Sequence, residues 1–216
     1  MDIMKNKGFT LIELLAVITI MGILMMVAIP AVSRTIENSR RDTFADIAHE
    51  YINAVRNSML ADNIECHNGE KWVVASATAT GVYYFPICTD KSQCDQVSGV
   101  LTADEIEQST ADLMETGGRS PFGNADLKGF VLLEKQVSTA EDGSELKTKS
   151  IYSIVLGDTG QHGLSAPKRE AEVKRSNISM SLESVTSNVP TSITTTDSTG
   201  ASTTVSGTDL HPCKIS

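Results

Sequence analysis

The amino-acid sequence predicts an α+β fold in which one long amino-terminal α-helix packs on a small antiparallel β-sheet. Two observations predict it. An apolar run from Phe9 to Val32 continues into a segment with helical periodicity, and β-rich segments bounded by turn residues follow. We therefore divide the 216 residues into a polar leader (1–8), an apolar helix half (9–32), an amphipathic helix half (33–61), a β-rich head (62–175) and a Ser/Thr-rich carboxyl-terminal region (176–216).

The apolar helix half is long enough to cross a membrane. Its 24 residues make roughly 36 Å of helix, which exceeds a bilayer core of about 30 Å. The twelve Phe, Leu, Ile and Val residues up to Ile29 favour insertion by about 4 to 7 kcal/mol, whereas a carboxylate at the bilayer centre costs about 2.5 to 3.5 kcal/mol. We therefore expect insertion despite Glu13, the only charged residue of this half. An ionisable residue inside a membrane helix indicates a functional role.

The start of the chain resembles the prepilin leader and first helix of type IV pilins and of the related pseudopilins. The resemblance depends on the Lys-bearing leader that ends at Gly8, on the run Phe9-Thr10-Leu11-Ile12-Glu13, and on Gly22 and Pro30. It is dense over about residues 5 to 36 and only architectural beyond them.

The resemblance implies that a membrane peptidase cuts between Gly8 and Phe9 on the cytoplasmic side and methylates the new amino terminus at Phe9. It also implies that Glu13 meets the terminal amine of a neighbouring subunit during assembly, since a buried amine and carboxylate are tolerated when they are paired. In the family, positions like Gly22 and Pro30 border a segment that can lose its helix in the filament. Alternatively, both are simply residues common in membrane helices, and Pro30 predicts a kink.

The flanking charges do not decide how the helix is oriented in the membrane. Lys5 and Lys7 precede the apolar run, and three arginines follow it between residues 34 and 41. A cytoplasmic amino terminus is therefore implied by the resemblance alone. A cleavable secretory signal with Lys5 and Lys7 as its basic region is an alternative, which Glu13 and the length of the run disfavour.

After Pro30 the pattern becomes that of an amphipathic surface helix that ends near Ala61. Apolar residues recur every three or four positions, with charged residues between them. They are Val32, Ile36, Phe44 or its neighbour Thr43, Ile47, Tyr51, Val55 and Met59. We expect this stripe to pack on the globular head.

Four segments of the head predict strands, because they are rich in β-branched or aromatic residues and bounded by turn residues. They are residues 71–77, 82–87, 129–137 and 149–156, with a hairpin turn at 141–143 between the last two. A helix is predicted over 103–115, since Thr102 and Glu105 have the spacing of a capping box and Gly117 can end it. An antiparallel sheet against the long helix is the expected result.

The carboxyl-terminal region is poor in groups that can form a core. Residues 184–208 contain fifteen Ser or Thr among twenty-five, which favours solvated or disordered chain. Exposed strands and a glycosylated surface are the alternatives. The triplet Asn177-Ile178-Ser179 matches a glycosylation sequon, although such a match is weak.

All four cysteines follow the membrane run, which suits disulfides on the outer side of a membrane. Four cysteines allow three connectivities. We favour Cys88 with Cys94, which are close in sequence, and Cys66 with Cys213, which would hold the carboxyl-terminal region.

No catalytic constellation emerges from the sequence, and we predict no enzyme activity, cofactor or metal. His49-Glu50 begins like a zinc-protease helix, but Asn53 occupies the position of the second His. A metal site of Cys66, His67, His211 and Cys213 is disfavoured by its spacing. Residues 157–160, Gly-Asp-Thr-Gly, predict a plain turn rather than a weak calcium loop, and His162 is assigned to the same exposed loop.

Charge bears on the possible partners. The net charge of −9 lies entirely in residues 61–216, because the first 60 residues are neutral overall. Such a domain repels phosphates, so no nucleic-acid partner is expected. A local basic patch is conceivable, but a solvated loop is the favoured interpretation of Lys168, Arg169, Lys174 and Arg175.

The resemblance implies a structural subunit of a type IV pilus. Such a subunit is first a single-pass protein of the cytoplasmic membrane, and is then polymerised into an extracellular filament for adhesion, twitching motility or aggregation. The implied partners are other pilin subunits, the prepilin peptidase, the assembly machinery and, before assembly, the bilayer. A pseudopilin of a type II secretion or DNA-uptake system is the nearest alternative, and a membrane-anchored extracellular enzyme or binding protein is an alternative of another class.

Overall fold

The structure, a computed structural model, describes residues 9–68, 70–74, 81–97, 100–114, 118–139, 146–183, 185, 192–196, 202–206 and 210–215. The chain forms two compact units, the first ending at Arg40 and the second beginning at Arg41. Helix α1, Leu11–Leu60, contributes residues to both. The finer division of the chain given above stays a prediction.

The second unit is built around a seven-stranded sheet. Its strands are β1 Ile64–His67, β2 Trp72–Val74, β3 Gly81–Cys88, β4 Leu127–Thr139, β5 Leu146–Asp158, β6 Gly163–Arg169 and β9 Leu210–Ile215. Their order is β2-β1-β9-β3-β4-β5-β6, and a separate hairpin pairs β7 Ser192–Thr196 with β8 Ser202–Ser206. Neighbouring strands of the large sheet are antiparallel except β3 and β9, which are parallel.

The predicted α+β fold is confirmed, because the long helix packs on an antiparallel-rich sheet. The sheet is mixed rather than purely antiparallel, since β9 lies between β1 and β3 and runs parallel to β3. Three predicted strands are the centres of β3, β4 and β5, each of which is longer than expected. The predicted strand 71–77 is β2 over Trp72–Val74, while residues 75–77 and the predicted turn at 141–143 lie outside the described residues.

Strands β1, β6 and β9 were not predicted. β1 alternates between buried and half-buried residues, but its four residues are too few for the pattern to stand out. β6 and β9 contain Pro167 and Pro212 together with charged side chains, so neither reads as a strand in the sequence. β6 is at the edge of the sheet, where a proline is better tolerated than in a central strand.

Side chains that alternate across the sheet form two hydrophobic layers. On one face, Tyr83, Phe85, Val131, Leu133 and Ile154 join the helix residues Phe44, Ala48, Tyr51, Ile52 and Val55. On the other face, Val82, Tyr84, Phe130 and Leu132 join Val97, Leu101, Ile106 and Ile193. Both faces of the sheet are therefore covered by other elements of the same unit.

The expected packing stripe of α1 is only partly correct. Phe44, Tyr51 and Val55 are fully buried, as predicted. The interpretation of Val32 and Ile36 as head-packing residues is wrong, because they are 55% and 48% exposed. The buried face begins at Phe44, within the second unit.

Helix α2, Ala103–Leu113, begins as predicted. The Glu105 N–H donates to Thr102 Oγ1, and the Thr102 N–H donates to Glu105 Oε2 at 2.9 Å, which completes the capping box. The helix ends at Leu113, before the expected residue 115, and that residue and Gly117 lie outside the described residues.

Two hydroxyl groups of α2 also hold the ends of the parallel strand pair. Thr110 Oγ1 accepts from the Cys88 N–H at 2.9 Å, and Ser109 Oγ accepts from the Ile215 N–H at 3.4 Å. The helix therefore binds the carboxyl ends of β3 and β9 through one hydrogen bond each.

The Ser/Thr-rich region is more ordered than expected. The favoured interpretation of solvated chain is wrong for residues 192–196 and 202–206, which form the β7–β8 hairpin. Its alternation explains this outcome, because Ile193, which is 3% exposed, and the half-buried Val205 opposite it turn toward the core. The exposed strands considered as an alternative are therefore present.

The four basic residues of the suggested loop are structured. Lys168 and Arg169 lie in β6 and are half-buried, so the solvated-loop interpretation is wrong for them. Lys174 and Arg175 are exposed, and Arg175 Nη1 is 3.1 Å from Asp42 Oδ2 on α1.

Residues 169–178 form a strap beside the last twenty residues of α1. Val173 and Ile178 are buried in the core, and Arg41 Nη1 donates to the Ile178 carbonyl at 3.3 Å. Arg56 pairs with Glu170 at 2.6 Å, and this hydrogen bond raises the pKa of Arg56. Val173 and Ile178 therefore anchor the strap in the head's core, while most of its other residues are exposed.

Candidate functional site

The predicted cleavage junction lies where the described chain begins. Phe9 is 91% exposed and precedes α1, while Gly8 and the rest of the leader lie outside the described residues. Cleavage after Gly8 and methylation of Phe9 therefore stay predictions.

Glu13 lies in the first turn of α1, where it forms a capping box with Thr10. The Thr10 N–H and the Thr10 hydroxyl both donate to Glu13 Oε2, each at 2.8 Å. In return, the Glu13 N–H donates to Thr10 Oγ1 at 3.3 Å. These bonds satisfy donors that the first helical turn leaves free, and a carboxylate there also interacts favourably with the helix dipole. The spacing Thr-x-x-Glu was visible in the sequence, and this role was missed.

The first part of α1 presents an apolar surface on all sides. Its large apolar side chains from Phe9 to Ile36 are between 48% and 91% exposed. The helix is long and apolar enough to cross a membrane, and its apolar window is not buried within the described protein. A contiguous apolar surface of this extent indicates a membrane or another protein as its partner.

Gly22 and Pro30 both lie inside α1. A Cβ added at Gly22 would meet no atom within 4 Å, so no described neighbour requires a glycine at this position. Pro30 provides no N–H for the helical bond to the Met26 carbonyl. Their role in helix flexibility stays a prediction.

The four cysteines form two disulfides, in the pairs favoured from the sequence. Cys66 of β1 is bonded to Cys213 of β9, and the two residues are directly opposite in the strand register. Cys88 at the end of β3 is bonded to Cys94. The first disulfide joins strands that are 147 residues apart and leaves no thiolate for the disfavoured metal site.

Asp158 and His162 form a buried polar cluster that was not predicted. The Asp158 side chain is fully buried and accepts from Ser120 Oγ at 2.6 Å and from the N–H groups of Gly160 and His162 at 2.9 and 2.8 Å. His162 Nδ1 is 3.0 Å from Asp158 Oδ2, and the His162 ring stacks on Phe122 with centroids 4.3 Å apart. The interpretation of His162 as an exposed loop residue is therefore wrong. Its bond to Asp158 is local, but Phe122, on which its ring stacks, comes from a distant segment that the sequence does not connect with it.

His49 has a structural partner. Its Nε2 lies 3.1 Å from the Val173 carbonyl, which can only accept, so Nε2 carries the proton and His49 holds the strap to α1. Among the residues that the structure describes, no group of three His, Cys, Asp or Glu side chains is placed to hold a metal ion.

Residues 3–29 match the family described as the prokaryotic N-terminal methylation motif. This motif is the type IV prepilin leader signature, so the resemblance drawn from the sequence is confirmed over those residues. No curated protein and no solved structure matches the chain. The signature supports a pilin-like or pseudopilin protein with a structural role, and it implies processing by a prepilin peptidase and assembly with other pilin-like subunits.

Proposed function

We propose that this protein is the structural subunit of a type IV pilus, held in the cytoplasmic membrane by α1 and then polymerised through that helix into a surface filament. The observation that carries the proposal is an exposed apolar helix directly behind a prepilin-type junction. Lipid covers this surface before assembly, and the helices of other subunits cover it afterwards. The filament would serve adhesion, twitching motility or aggregation.

Glu13 is suited to set the register of such a filament. Both bonds from Thr10 end on Glu13 Oε2, so Oε1 can accept from a further donor while the capping box stays intact. In our proposal that donor is the Phe9 amine of a neighbouring subunit, which cleavage after Gly8 exposes. Because a carboxylate in apolar surroundings is strongly penalised without its partner, subunits that are out of register lose stability.

The distribution of charge supports cohesion through the helix. The first 60 residues have no net charge, whereas residues 61–216 carry −9. Heads of like charge repel, so the main attraction between subunits has to come from the apolar helices. In this scheme Glu13 supplies register and the apolar surface supplies cohesion.

Glu13→Gln tests the scheme, because glutamine keeps the size of the side chain and its acceptance from Thr10 but removes the charge. Breaking a buried pair costs about 3 to 5 kcal/mol, so the yield of sheared filaments should fall by at least about a hundredfold while membrane insertion is retained. Electron microscopy and quantification of the sheared fraction measure this. Glu37→Gln, on the same helix but beyond its apolar half, is the matched control and should assemble normally. Normal filaments from Glu13→Gln would contradict the assigned role.

The junction is tested by mass spectrometry of the mature chain. We expect an amino-terminal N-methyl-Phe9, and Gly8→Ala should slow or block its formation. An intact Met1, or cleavage behind the apolar run, would instead support the membrane-anchored enzyme or binding protein.

A pseudopilin shares the same signature and would give the same amino terminus. The two functions differ in the product of assembly. Long filaments that are sheared from the cell surface and contain this chain support the pilin, whereas their absence from cells that make mature protein supports the pseudopilin.

A further inference from the structure

Arg34 is the first charged residue after the apolar half of α1, and no residue that the structure describes pairs with it. The helix continues through this position without a break, and the side chain lies exposed. Arg41, seven residues later, is in a different situation, because its Nη1 donates to the Ile178 carbonyl at 3.3 Å. The guanidinium of Arg34 is therefore available to a partner from outside the chain.

Two threonines of the same helix satisfy their hydroxyl groups internally. Thr19 Oγ1 donates to the Ala16 carbonyl at 2.8 Å, and Thr35 Oγ1 donates to the Ala31 carbonyl at 3.0 Å. Such bonds let a hydroxyl group lie beside lipid without an acceptor from outside the helix. A guanidinium has five N–H donors and a charge, which the backbone of its own helix does not satisfy. Arg34 therefore requires an acceptor of opposite charge.

The position of Arg34 along the helix indicates the level at which that acceptor lies. Its Cα is two residues beyond Val32, where the apolar run ends, which is about 3 Å along the helix axis. The polar headgroup layer on each side of a bilayer's hydrocarbon core is roughly 5 to 8 Å thick. Side chains of a helix also lean toward its amino terminus, which here is toward the membrane. The guanidinium therefore lies within the layer that contains the lipid phosphates.

The general distribution of charge does not account for an arginine at this place. Basic residues beside membrane helices are enriched on the cytoplasmic side, whereas the proposed orientation places Arg34 on the outer side. Residues 61–216, which follow, carry the whole net charge of −9 and are repelled by anionic lipid. A cation that comes between the apolar run and this acidic part of the chain offsets some of that repulsion at the membrane surface.

We propose that Arg34 is a lipid-phosphate site, at which the guanidinium binds the phosphate of a phospholipid headgroup in the outer leaflet of the cytoplasmic membrane. A guanidinium can donate two parallel hydrogen bonds to the two non-bridging oxygens of one phosphate. The contact belongs to the stored subunit and is given up when the helix leaves lipid for the filament. The inference rests on the membrane-anchored state of the proposed function and is independent of polymerisation.

Solid-state NMR of the full-length protein in vesicles of phosphatidylethanolamine and phosphatidylglycerol tests the proposal. When the arginines carry ¹³C at Cζ, the lipid ³¹P should attenuate one arginine signal, because a bidentate pair places Cζ about 4 Å from the phosphorus. Arg34→Lys should remove the attenuated signal, whereas Arg40→Lys should retain it.

Arg40 is the matched control. It lies on the same helix, is likewise exposed and has no partner in the described part of the chain. Its Cα is about 9 Å further along the axis than that of Arg34, which places it beyond the headgroup layer. A signal that Arg40→Lys removes, or one that Arg34→Lys leaves in place, would overturn the proposal. So would the absence of any attenuated arginine signal from inserted protein.

Vesicles of phosphatidylcholine alone supply a second measurement. This lipid has the phosphate but no net charge, so the contact of Arg34 should persist. Its loss would show that Arg34 responds only to the charge of the surface, and would overturn the phosphate site. Flotation of the vesicles in alkaline carbonate verifies insertion in every sample. Protein that does not float with the vesicles would refute membrane anchoring, and the proposed function with it, so the two failures are distinguishable.

Discussion

The two parts of helix α1 have their apolar side chains in opposite situations. From Phe9 to Ile36 these side chains are exposed, whereas Phe44, Tyr51 and Ile52 are fully buried in the head. The second part finds its apolar partner in the sheet of the same chain. The first part has no such partner among the described residues. Helical periodicity alone does not distinguish the two cases, whereas the burial of the side chains does. Burial therefore shows which part of a helix packs within its own chain and which part is available to lipid or to another subunit.

Removal of the long-range disulfide should destabilise the head strongly and leave the membrane half of α1 unaffected, which is the largest effect that we expect. Cys66→Ser with Cys213→Ser opens a loop of 147 residues, which should destabilise the head by about 5 kcal/mol. Cys88→Ser with Cys94→Ser opens a loop of 6 residues and should cost about 2 kcal/mol. Urea unfolding, monitored by the fluorescence of Trp72, measures the loss of stability in both double variants. The membrane half of α1 contains no cysteine and should keep its helical signal. Equal losses from the two double variants would contradict the dependence on loop length.

A matched pair of isoleucines sharpens the comparison along one helix. Ile52→Ala leaves a cavity in the core and should cost the head about 2 to 5 kcal/mol. Ile23→Ala, at a residue that is 67% exposed, should change head stability by less than about 0.5 kcal/mol. The midpoints of urea unfolding in detergent decide the matter. A large loss from Ile23→Ala would show that the first part of α1 also supports the head.

Removal of a capping-box residue should give the smallest change in the stability of the head. The hydrogen bond from the Thr102 N–H lowers the pKa of Glu105 below its ordinary value of 4.5. A lowered pKa stabilises the folded state above the ordinary value, and this contribution is lost as the pH falls through the folded pKa. Glu105→Ala should therefore cost about 1 kcal/mol at neutral pH and less at about pH 3.

Unfolding of the wild type and of Glu105→Ala at both pH values measures this difference. Thr10→Ala, in the capping box of α1, is the control and should leave the head unchanged at either pH. A cost of Glu105→Ala that does not vary with pH would contradict the linkage.

The features that the sequence predicted are those encoded locally. The long helix, the three long strands and the capping box at Thr102 follow from periodicity and spacing within a few residues. Burial of His162 depends on Phe122 and Ser120, which lie some forty residues earlier. The pairing of β1 with β9 likewise brings together residues that no local pattern relates.

The Ser/Thr-rich region shows a different limit. Its composition indicated solvated chain, because composition averages over both faces of a strand. In β7 the inward-facing Ile193 packs on the core and attaches the strand to it. The prepilin-type motif was identified from the sequence, whereas the capping box of Glu13 was missed although its Thr-x-x-Glu spacing is a local pattern.

The position of β9 between β1 and β3 delays completion of the sheet until the end of synthesis. A ribosome that adds roughly 5 to 20 residues per second makes Cys66 about 7 to 30 s before Cys213, which lies 147 residues later. Throughout that interval the β1–β2 hairpin has no adjoining strand to connect it with β3. The anchor helix emerges first and can reach the bilayer while the head is still incomplete. Completion of the head is thus a late insertion of one strand, and the pace of translation sets the earliest moment at which it can occur.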